Sequence, residues 1–264
     1  MYDFVYQRAA SVDEAVKMLA GDPEAKALAG GQTLIPVLKQ RLNHPSKVVD
    51  LAKAGLSGIK VDAKSVAIGA MTTHAAVAHS AEVAKAIPAL AELAGLIGDD
   101  QVRHRGTIGG SLANNDPAAD YPAAALALGA TIRTNKRAIK ADEFFQGMFA
   151  TALAPDEIIT EVSFPVPEKA AYEKFRNPAS RYAIVGVFVA KTADGVRVAV
   201  TGAGQNGVFR HTAMERALGS NLSADAIAGV STPAGDLNGD IHASAEYRAH
   251  LVGVIAKRAL AKLR

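Results

Sequence analysis

Residues 107–120 combine paired glycines, small polar side chains and a closing acidic motif, which are the residue types of an anion-binding turn. Their sequence is Thr-Ile-Gly-Gly-Ser-Leu-Ala-Asn-Asn-Asp-Pro-Ala-Ala-Asp. Glycine reaches positive φ and lets a ligand approach the backbone, so we expect Gly109 and Gly110 to turn several N–H groups onto one point. Asp116 and Pro117 are typical of a helix N-cap followed by proline at the first helical position. Free amides beside a helix start favour phosphate or pyrophosphate, although the same pattern also fits a plain connecting turn.

A second glycine pair occurs in the loop Gly30-Gly31-Gln32-Thr33. An apolar strand is predicted before it, at residues 25–29, and a helix after it, at residues 34–42, with a further strand at residues 47–51. This order predicts a βαβ unit, whose loop lies at the carboxyl end of the first strand, where open α/β sheets bind ligands. The sequence therefore contains two independent glycine loops, and Asp120 beyond the other one could accept hydrogen bonds from a sugar.

A third glycine-rich segment, residues 202–207, matches the dinucleotide fingerprint GxGxxG with the sequence Gly-Ala-Gly-Gln-Asn-Gly. A Rossmann unit also needs a following helix, a second parallel strand and an acidic residue about twenty positions on. No strong second strand follows residue 207. We therefore expect an ordinary glycine-rich turn here and no NAD-binding Rossmann domain.

The composition excludes several classes of function. The chain has 264 residues, a net charge of +3 and 49% hydrophobic residues, which is typical of a globular protein without nucleic-acid binding. It has no cysteine, which excludes disulfides, thiolate nucleophiles and cysteine-ligated iron–sulfur clusters. The seven histidines show no metal-ligand spacing, so no metal site is predicted. No apolar run is long enough to span a membrane, and residues 1–4 do not resemble a secretory signal, so we expect a cytoplasmic protein.

Capping motifs and apolar periodicity in the rest of the chain predict the helices and strands that must hold these loops. Ser11 to Glu14 form a capping box that opens a helix ending near Gly21. Two strands joined at residues 193–195 are predicted to pair antiparallel. Other predicted strands lie at residues 65–70, 130–133 and 156–165, and other predicted helices lie at residues 81–97, 212–218 and 244–263.

Two segments together are more specific than either glycine loop alone. They are residues 29–36, Ala-Gly-Gly-Gln-Thr-Leu-Ile-Pro, and residues 101–110, Gln-Val-Arg-His-Arg-Gly-Thr-Ile-Gly-Gly. They resemble the FAD-binding subunit of the molybdenum hydroxylases, the family that includes xanthine dehydrogenase, and within it most closely the medium subunit of aerobic carbon monoxide dehydrogenases. Supporting segments follow in family order along nearly the whole chain, at residues 68–73, 144–147, 156–159, 172–175 and 179–183.

The resemblance implies an α+β fold in which two subdomains hold FAD, of the vanillyl-alcohol-oxidase or PCMH type, followed by a C-terminal antiparallel sheet with a helical bundle. The expected N-terminal βαβ FAD-binding subdomain covers residues 1–55. The second, mixed α/β FAD-binding subdomain covers residues 56–167, and the C-terminal sheet and helix domain covers residues 168–264.

The resemblance also implies which residues contact the cofactor. Both glycine loops would embrace the FAD pyrophosphate, Lys174 would lie near the flavin edge, and Tyr182 would cover one face of the isoalloxazine. The expected cofactor-binding residues are Ala27, Leu28, Ala29, Gly30, Gly31, Gln32, Thr33, Leu34, Ile97, Thr107, Ile108, Gly109, Gly110, Ser111, Asp120, Ile159, Lys174 and Tyr182. Ser111 departs from the asparagine or aspartate common at its position, which weakens one contact.

Plainer interpretations of several of these residues stay open. Ile97 and Ile159 could be ordinary core, and Lys174 could lie on a solvated edge. Tyr182 could only pack, with its hydroxyl in water. Arg103 and Arg105 beside the second loop could stabilise phosphate or simply be exposed.

The function implied is electron transfer without substrate chemistry on this chain. FAD would take electrons from [2Fe–2S] clusters of a small iron–sulfur subunit and pass them to an external acceptor, a quinone or another carrier. A large subunit would carry the molybdenum cofactor, in a dimer of heterotrimers in the cytoplasm at the inner face of the membrane. No catalytic acid or base is assigned. The alternatives are the flavin subunit of a related aldehyde, xanthine or heteroaromatic dehydrogenase, a stand-alone FAD oxidoreductase, and an adaptor that has lost FAD.

Overall fold

The computed structural model describes all residues from 1 to 264. Its N-terminal part is a three-stranded parallel sheet in the order β1-β3-β2. The strands and helices here are β1 (Val5–Arg8), α1 (Val12–Ala20), β2 (Lys26–Leu28), α2 (Leu34–Lys39) and β3 (Lys47–Asp50). The βαβ unit predicted around the first glycine loop is therefore confirmed. Strand β1 was not predicted from the sequence, because its side chains are mostly exposed and give no apolar run.

The capping box of α1 forms as predicted. The Ser11 hydroxyl accepts a hydrogen bond from the backbone N–H of Glu14 at 3.1 Å, while the Glu14 carboxylate accepts one from the N–H of Ala10 at 2.7 Å. Since these bonds satisfy amides that have no partner inside the helix, they fix where α1 starts.

The middle part is a five-stranded antiparallel sheet in the order β4-β5-β10-β6-β7, with helices on one face and a small hairpin, β8-β9. Its strands are β4 (Ile59–Val61), β5 (Ser65–Gly69), β6 (Thr131–Thr134), β7 (Ala138–Lys140), β8 (Phe145–Gly147), β9 (Ala150–Thr151) and β10 (Ile159–Pro165). Its helices are α3 (His74–Ala78), α4 (Ala81–Ala86), α5 (Pro88–Gly95), α6 (Asp100–Arg103), α7 (Ile108–Asn114), α8 (Tyr121–Ala127) and α9 (Ala141–Phe144).

The single helix predicted at residues 81–97 is wrong, because α4 and α5 are separate helices. Ile87 between them has an extended φ of −139° and Pro88 opens α5. A proline disfavours helical backbone at the residue before it, so the chain breaks at Ile87.

The C-terminal part is a four-stranded antiparallel sheet, β11 to β14 in sequence order, covered by two helices. Its elements are β11 (Lys169–Arg176), β12 (Ala183–Thr192), β13 (Gly195–Thr201), β14 (Phe209–Arg210), α10 (Thr212–Ser220) and α11 (Ala245–Ala261), with two short 3₁₀ turns before α11. The predicted antiparallel pair is β12 and β13. Residues 202–207 connect β13 to an antiparallel strand, so the absence of a Rossmann unit there is also confirmed.

The largest apolar core joins the middle and C-terminal parts. It packs the middle sheet and its helices against Tyr172, Phe188 and Ala199 of the C-terminal sheet. A second core lies between that sheet and α11, and a third lies around α1. The arrangement is the mixed α+β fold expected from the sequence. No helix of the structure has both the length and the apolar character needed to cross a membrane.

Candidate cofactor-binding site

A cleft with a volume of about 540 Å³ lies where the three parts meet, and both glycine loops line it. Fifteen of the expected cofactor residues line this cleft: Ala27, Ala29, Gly30, Gly31, Gln32, Thr33, Leu34, Ile97, Thr107, Gly109, Gly110, Ser111, Asp120, Ile159 and Tyr182. Leu28, Ile108 and Lys174 lie behind the lining. A cleft of this size is ordinary for a cofactor.

The first glycine loop presents free backbone donors to the cleft. None of the N–H groups of residues 29–33 donates to another group of the chain. Gly31 has a φ of +74°, the left-handed region that favours glycine, and this turns the chain into α2. Consecutive unpaired amides in such a turn form a concave site for an anion.

The second glycine loop is built differently from the prediction. Gly109 and Gly110 lie in the first turn of α7, and neither has positive φ. The Gly109 N–H donates to the Ala70 carbonyl at 2.8 Å, and the Gly110 N–H donates to the Thr107 hydroxyl at 3.2 Å. The N–H of Ile108 is also used, by the carbonyl of Thr72 at 3.1 Å. The expectation that this loop turns several free amides onto one point is therefore wrong.

The glycines of the second loop instead permit close packing. A Cβ on Gly109 would lie 2.6 Å from the Cβ of Ala70, where no real atom fits. A Cβ on Gly110 would lie 3.3 Å from the Cβ of Ala29, which belongs to the first loop. The two loops are thus in direct contact, and the second supports the first.

The predicted N-cap at Asp116 is also wrong. The Asp116 carboxylate accepts a hydrogen bond from the Ala118 N–H at 2.8 Å and closes a local turn. The helix α8 starts five residues later, with Asp120 at its N-cap position. The Pro117 carbonyl accepts from the Thr201 hydroxyl at 3.0 Å and from the Gly202 N–H at 2.8 Å, so β13 holds this segment out of a helix.

Asp120 is the centre of a buried polar cluster. Its carboxylate accepts a hydrogen bond from the Tyr172 hydroxyl at 2.5 Å and pairs with the Lys174 ammonium at 2.9 Å. The Lys174 ammonium also donates to the Leu96 carbonyl at 3.1 Å. Burial raises the pKa of Asp120, and the neighbouring ammonium and hydroxyl oppose that rise.

The burial of Lys174 overturns one open interpretation. Its side chain is 2% exposed, so it is not on a solvated edge. Gly186 lies opposite Lys174 on β12, and a Cβ there would collide with the Tyr172 hydroxyl. A glycine is therefore needed to admit the tyrosine that reaches Asp120.

The other residues with open interpretations are also placed. Tyr182 is half exposed at the cleft. Ile159 is buried and Ile97 is partly buried, and both residues border the cleft. Arg103 donates to the carbonyls of Ile97 and Gly98 at 2.9 and 3.0 Å, so it shapes the cleft rim. Arg105 is exposed.

Several lining residues were not predicted from the sequence, and Glu157 and His74 are the two with the most strongly lowered pKa values. Glu157 accepts two hydrogen bonds from Arg137 and one from the Thr134 hydroxyl, which lowers its pKa to about 2. His74 is 5% exposed, and burial lowers its pKa to about 4, so the ring is neutral at physiological pH. No spacing in the sequence marks either residue, because Glu157 is bonded by Thr134 and Arg137 from a distant segment and the His74 ring has no hydrogen-bond partner in the chain.

The donors in this cleft fit the pyrophosphate of a dinucleotide. The free amides of residues 29–33 supply neutral donors in a concave turn, and Ile97 and Ile159 supply apolar wall beside them. A parallel βαβ loop facing an antiparallel α+β unit across one cleft defines a dinucleotide-binding protein that is not of the Rossmann class.

Comparison with known proteins gives the family. The profile of the "FAD binding domain in molybdopterin dehydrogenase" matches residues 2–167, and that of the "CO dehydrogenase flavoprotein C-terminal domain" matches residues 170–263. The nicotine 6-hydroxylase medium subunit of Paenarthrobacter nicotinovorans is 38% identical, over 97% of this chain and 95% of that protein. The carbon monoxide dehydrogenase medium chain of Hydrogenophaga pseudoflava is 35% identical, over 97% and 96%.

The same family is evident in three dimensions. A solved structure of reconstituted carbon monoxide dehydrogenase from Oligotropha carboxidovorans superimposes with a TM-score of 0.89 at 33% identity, covering 98% of this chain and 97% of that chain. The chain belongs to the FAD-binding medium subunits of the molybdopterin dehydrogenases. It is an oxidoreductase subunit, and FAD is its cofactor.

Proposed function

We propose that this chain is the electron-transfer subunit of a molybdenum hydroxylase complex. When bound, FAD would carry electrons from the [2Fe–2S] clusters of a partner subunit to an external acceptor such as a quinone. The observation that supports this role best is the row of free amides at residues 29–33, which face the cleft. The chain's own task is to bind and orient the cofactor.

The proposed cofactor site consists of the residues expected from the sequence, but the two glycine loops have different roles in it. The first glycine loop donates hydrogen bonds to the pyrophosphate, while the second loop supports it from behind. Asp120 forms the floor of the cleft, Lys174 lies behind it and acts through Asp120, and Tyr182 forms one wall. We retain the division of the chain at residues 1–55, 56–167 and 168–264 as three units around this cleft.

The proposed partners are an iron–sulfur small subunit and a molybdenum-containing large subunit, in a dimer of heterotrimers. As the resemblance implies, we place this complex in the cytoplasm at the inner face of the membrane. Relatives named for nicotine and for carbon monoxide have nearly equal identity to this chain. We infer that the large subunit chooses the substrate, whether carbon monoxide, an aldehyde or a heteroaromatic ring.

Purification of the tagged chain from its native host tests this proposal. We expect a yellow complex with one FAD per copy of this chain, accompanied by a cysteine-rich small chain and a large molybdenum chain. A lone colourless protein that cannot be loaded with FAD would contradict the proposal. Reduction of the bound flavin by a small substrate without partner chains would instead favour a stand-alone flavoenzyme.

A further inference from the structure

His74 is the one cleft-lining residue that has a fully buried polar side-chain atom without a hydrogen-bond partner. That atom is Nδ1, and Nε2 has no partner in the chain either. Buried polar atoms are almost always paired, so an unpaired imidazole in a ligand cleft calls for an explanation. The ring is also held firmly, because Tyr121 packs on it with ring centroids 5.4 Å apart.

The position of the ring proton follows from this burial. A neutral imidazole carries one N–H donor and one acceptor. A proton on Nδ1 would be a buried donor with no acceptor, which is rarer in proteins than an unpaired acceptor. Nδ1 is sealed from solvent whereas Nε2 is not, so the proton belongs on Nε2, where the cleft can supply an acceptor.

Nε2 lies at the junction of the two glycine loops. A Cβ on Gly106 would be 2.5 Å from this nitrogen, so glycine is required to let the ring approach the backbone. A Cβ on Gly30 would in turn be 2.8 Å from the Cα of Gly106. The imidazole, Gly106 and the free-amide loop are therefore consecutive neighbours along one wall.

We propose that His74 is a cofactor-binding residue whose Nε2–H donates a hydrogen bond to an oxygen of the FAD pyrophosphate. The assignment rests on the proposed function, because it names a further donor in the same site. An uncharged donor complements the neutral amides of residues 29–33, so His74 would add one more directed hydrogen bond to the anion. Glycine at position 106 is part of the same arrangement.

Two variants distinguish hydrogen-bond donation by His74 from packing of its ring. His74→Gln keeps an N–H donor at about the reach of Nε2, whereas His74→Phe keeps a ring and removes the donor. The flavin-stripped native complex of each is titrated with FAD, with ADP-ribose, which keeps the pyrophosphate, and with riboflavin, which lacks it. Melting temperatures without ligand report whether each variant folds.

We expect His74→Phe to weaken FAD and ADP-ribose binding by about 10- to 100-fold, the range for a hydrogen bond to a charged group. Riboflavin binding should not change, and His74→Gln should stay within about threefold of the wild type, since it restores the donor. Wild-type FAD affinity in His74→Phe would overturn the assignment, as would equal losses in both variants or an equal loss for riboflavin. Failure of the wild-type complex to bind FAD would overturn the proposed function as well.

Discussion

The backbone of Gly30 lies directly against the carbonyl oxygen of Arg105. A Cβ on Gly30 would collide with that oxygen and would lie 2.8 Å from the Cα of Gly106. This contact joins the free-amide loop of the N-terminal part to the segment that precedes α7. The shape of the cleft therefore depends on residue 30 having no side chain where it meets the backbone of a segment 75 positions further along the chain.

Gly30→Ala should weaken FAD binding by about 10- to 100-fold, because the added methyl group must push the two loops apart, at a cost typical of overpacking. Fluorescence titration of the flavin-stripped complex measures the affinity. Gly21→Ala is the matched control, since a Cβ there meets its nearest atom at an ordinary 3.6 Å. Equal FAD affinity in the two variants would show that the loop contact is dispensable.

Gly109→Ala should lower the free energy of unfolding by about 1–3 kcal/mol, because its Cβ would lie 2.6 Å from the Cβ of Ala70. Urea denaturation measures this change. Gly95→Ala in α5 is the control, because its Cβ has room and alanine favours helix by up to about 1 kcal/mol. If both variants were stabilised, the packing role of Gly109 would be wrong.

Lys174→Met should cost about 3–5 kcal/mol of stability, because it leaves the buried Asp120 carboxylate without its cation. Tyr172→Phe should cost less, about 1–2 kcal/mol, since it removes one hydrogen bond and leaves the ion pair. Lys191→Met is the control, because the Lys191–Glu168 pair is about half exposed and such pairs contribute little. Denaturation at neutral pH gives all three values. A loss of stability in Lys174→Met no larger than in the control would show that the buried ion pair does not stabilise the fold.

The ionised Glu157 should stabilise the fold in a pH-dependent way. Its pKa is lowered to about 2 by Arg137 first, and also by the Ala154 N–H and the Thr134 hydroxyl. An unfolded glutamate has a pKa of about 4.3, so the unfolded state binds more protons between these values. The stabilisation is therefore fully present above about pH 4.5 and is lost as the pH falls towards 2.

Measurements of the free energy of unfolding against pH, for the wild type and Glu157→Gln, test the direction of this pH dependence. The difference in free energy of unfolding should be constant above about pH 5 and should shrink below about pH 4. Glu168→Gln, at the half-exposed surface pair, should stay within about 0.5 kcal/mol of the wild type at neutral pH. A Glu157→Gln difference that is as large at pH 3 as at pH 7 would contradict the account.

Local patterns predicted the elements well where the physical cause is local. The capping box at Ser11 and the hairpin of β12 and β13 depend on residues next to each other in sequence. The break at Ile87 is local as well, and Pro88 signals it, but the apolar periodicity across residues 81–97 hid it. Both glycine loops could be recognised because glycine pairs are visible in the sequence.

The chemistry of each loop could not be predicted, because distant partners decide it. The amides of Ile108 and Gly109 in the second loop donate to the carbonyls of Thr72 and Ala70, about forty positions earlier, whereas those of residues 29–33 meet no such acceptor. Asp120 and Lys174 are 54 positions apart. His74 has no partner at all, and no sequence pattern marks the absence of a bond.

The most direct test of the central claim is acceptor reduction by the native complex with and without flavin, followed anaerobically after substrate is added. We predict that the flavin-stripped complex still bleaches its iron–sulfur absorption but does not reduce the acceptor, and that one FAD per copy of this chain restores the reduction. Acceptor reduction at the full rate without flavin would contradict the role assigned to this chain.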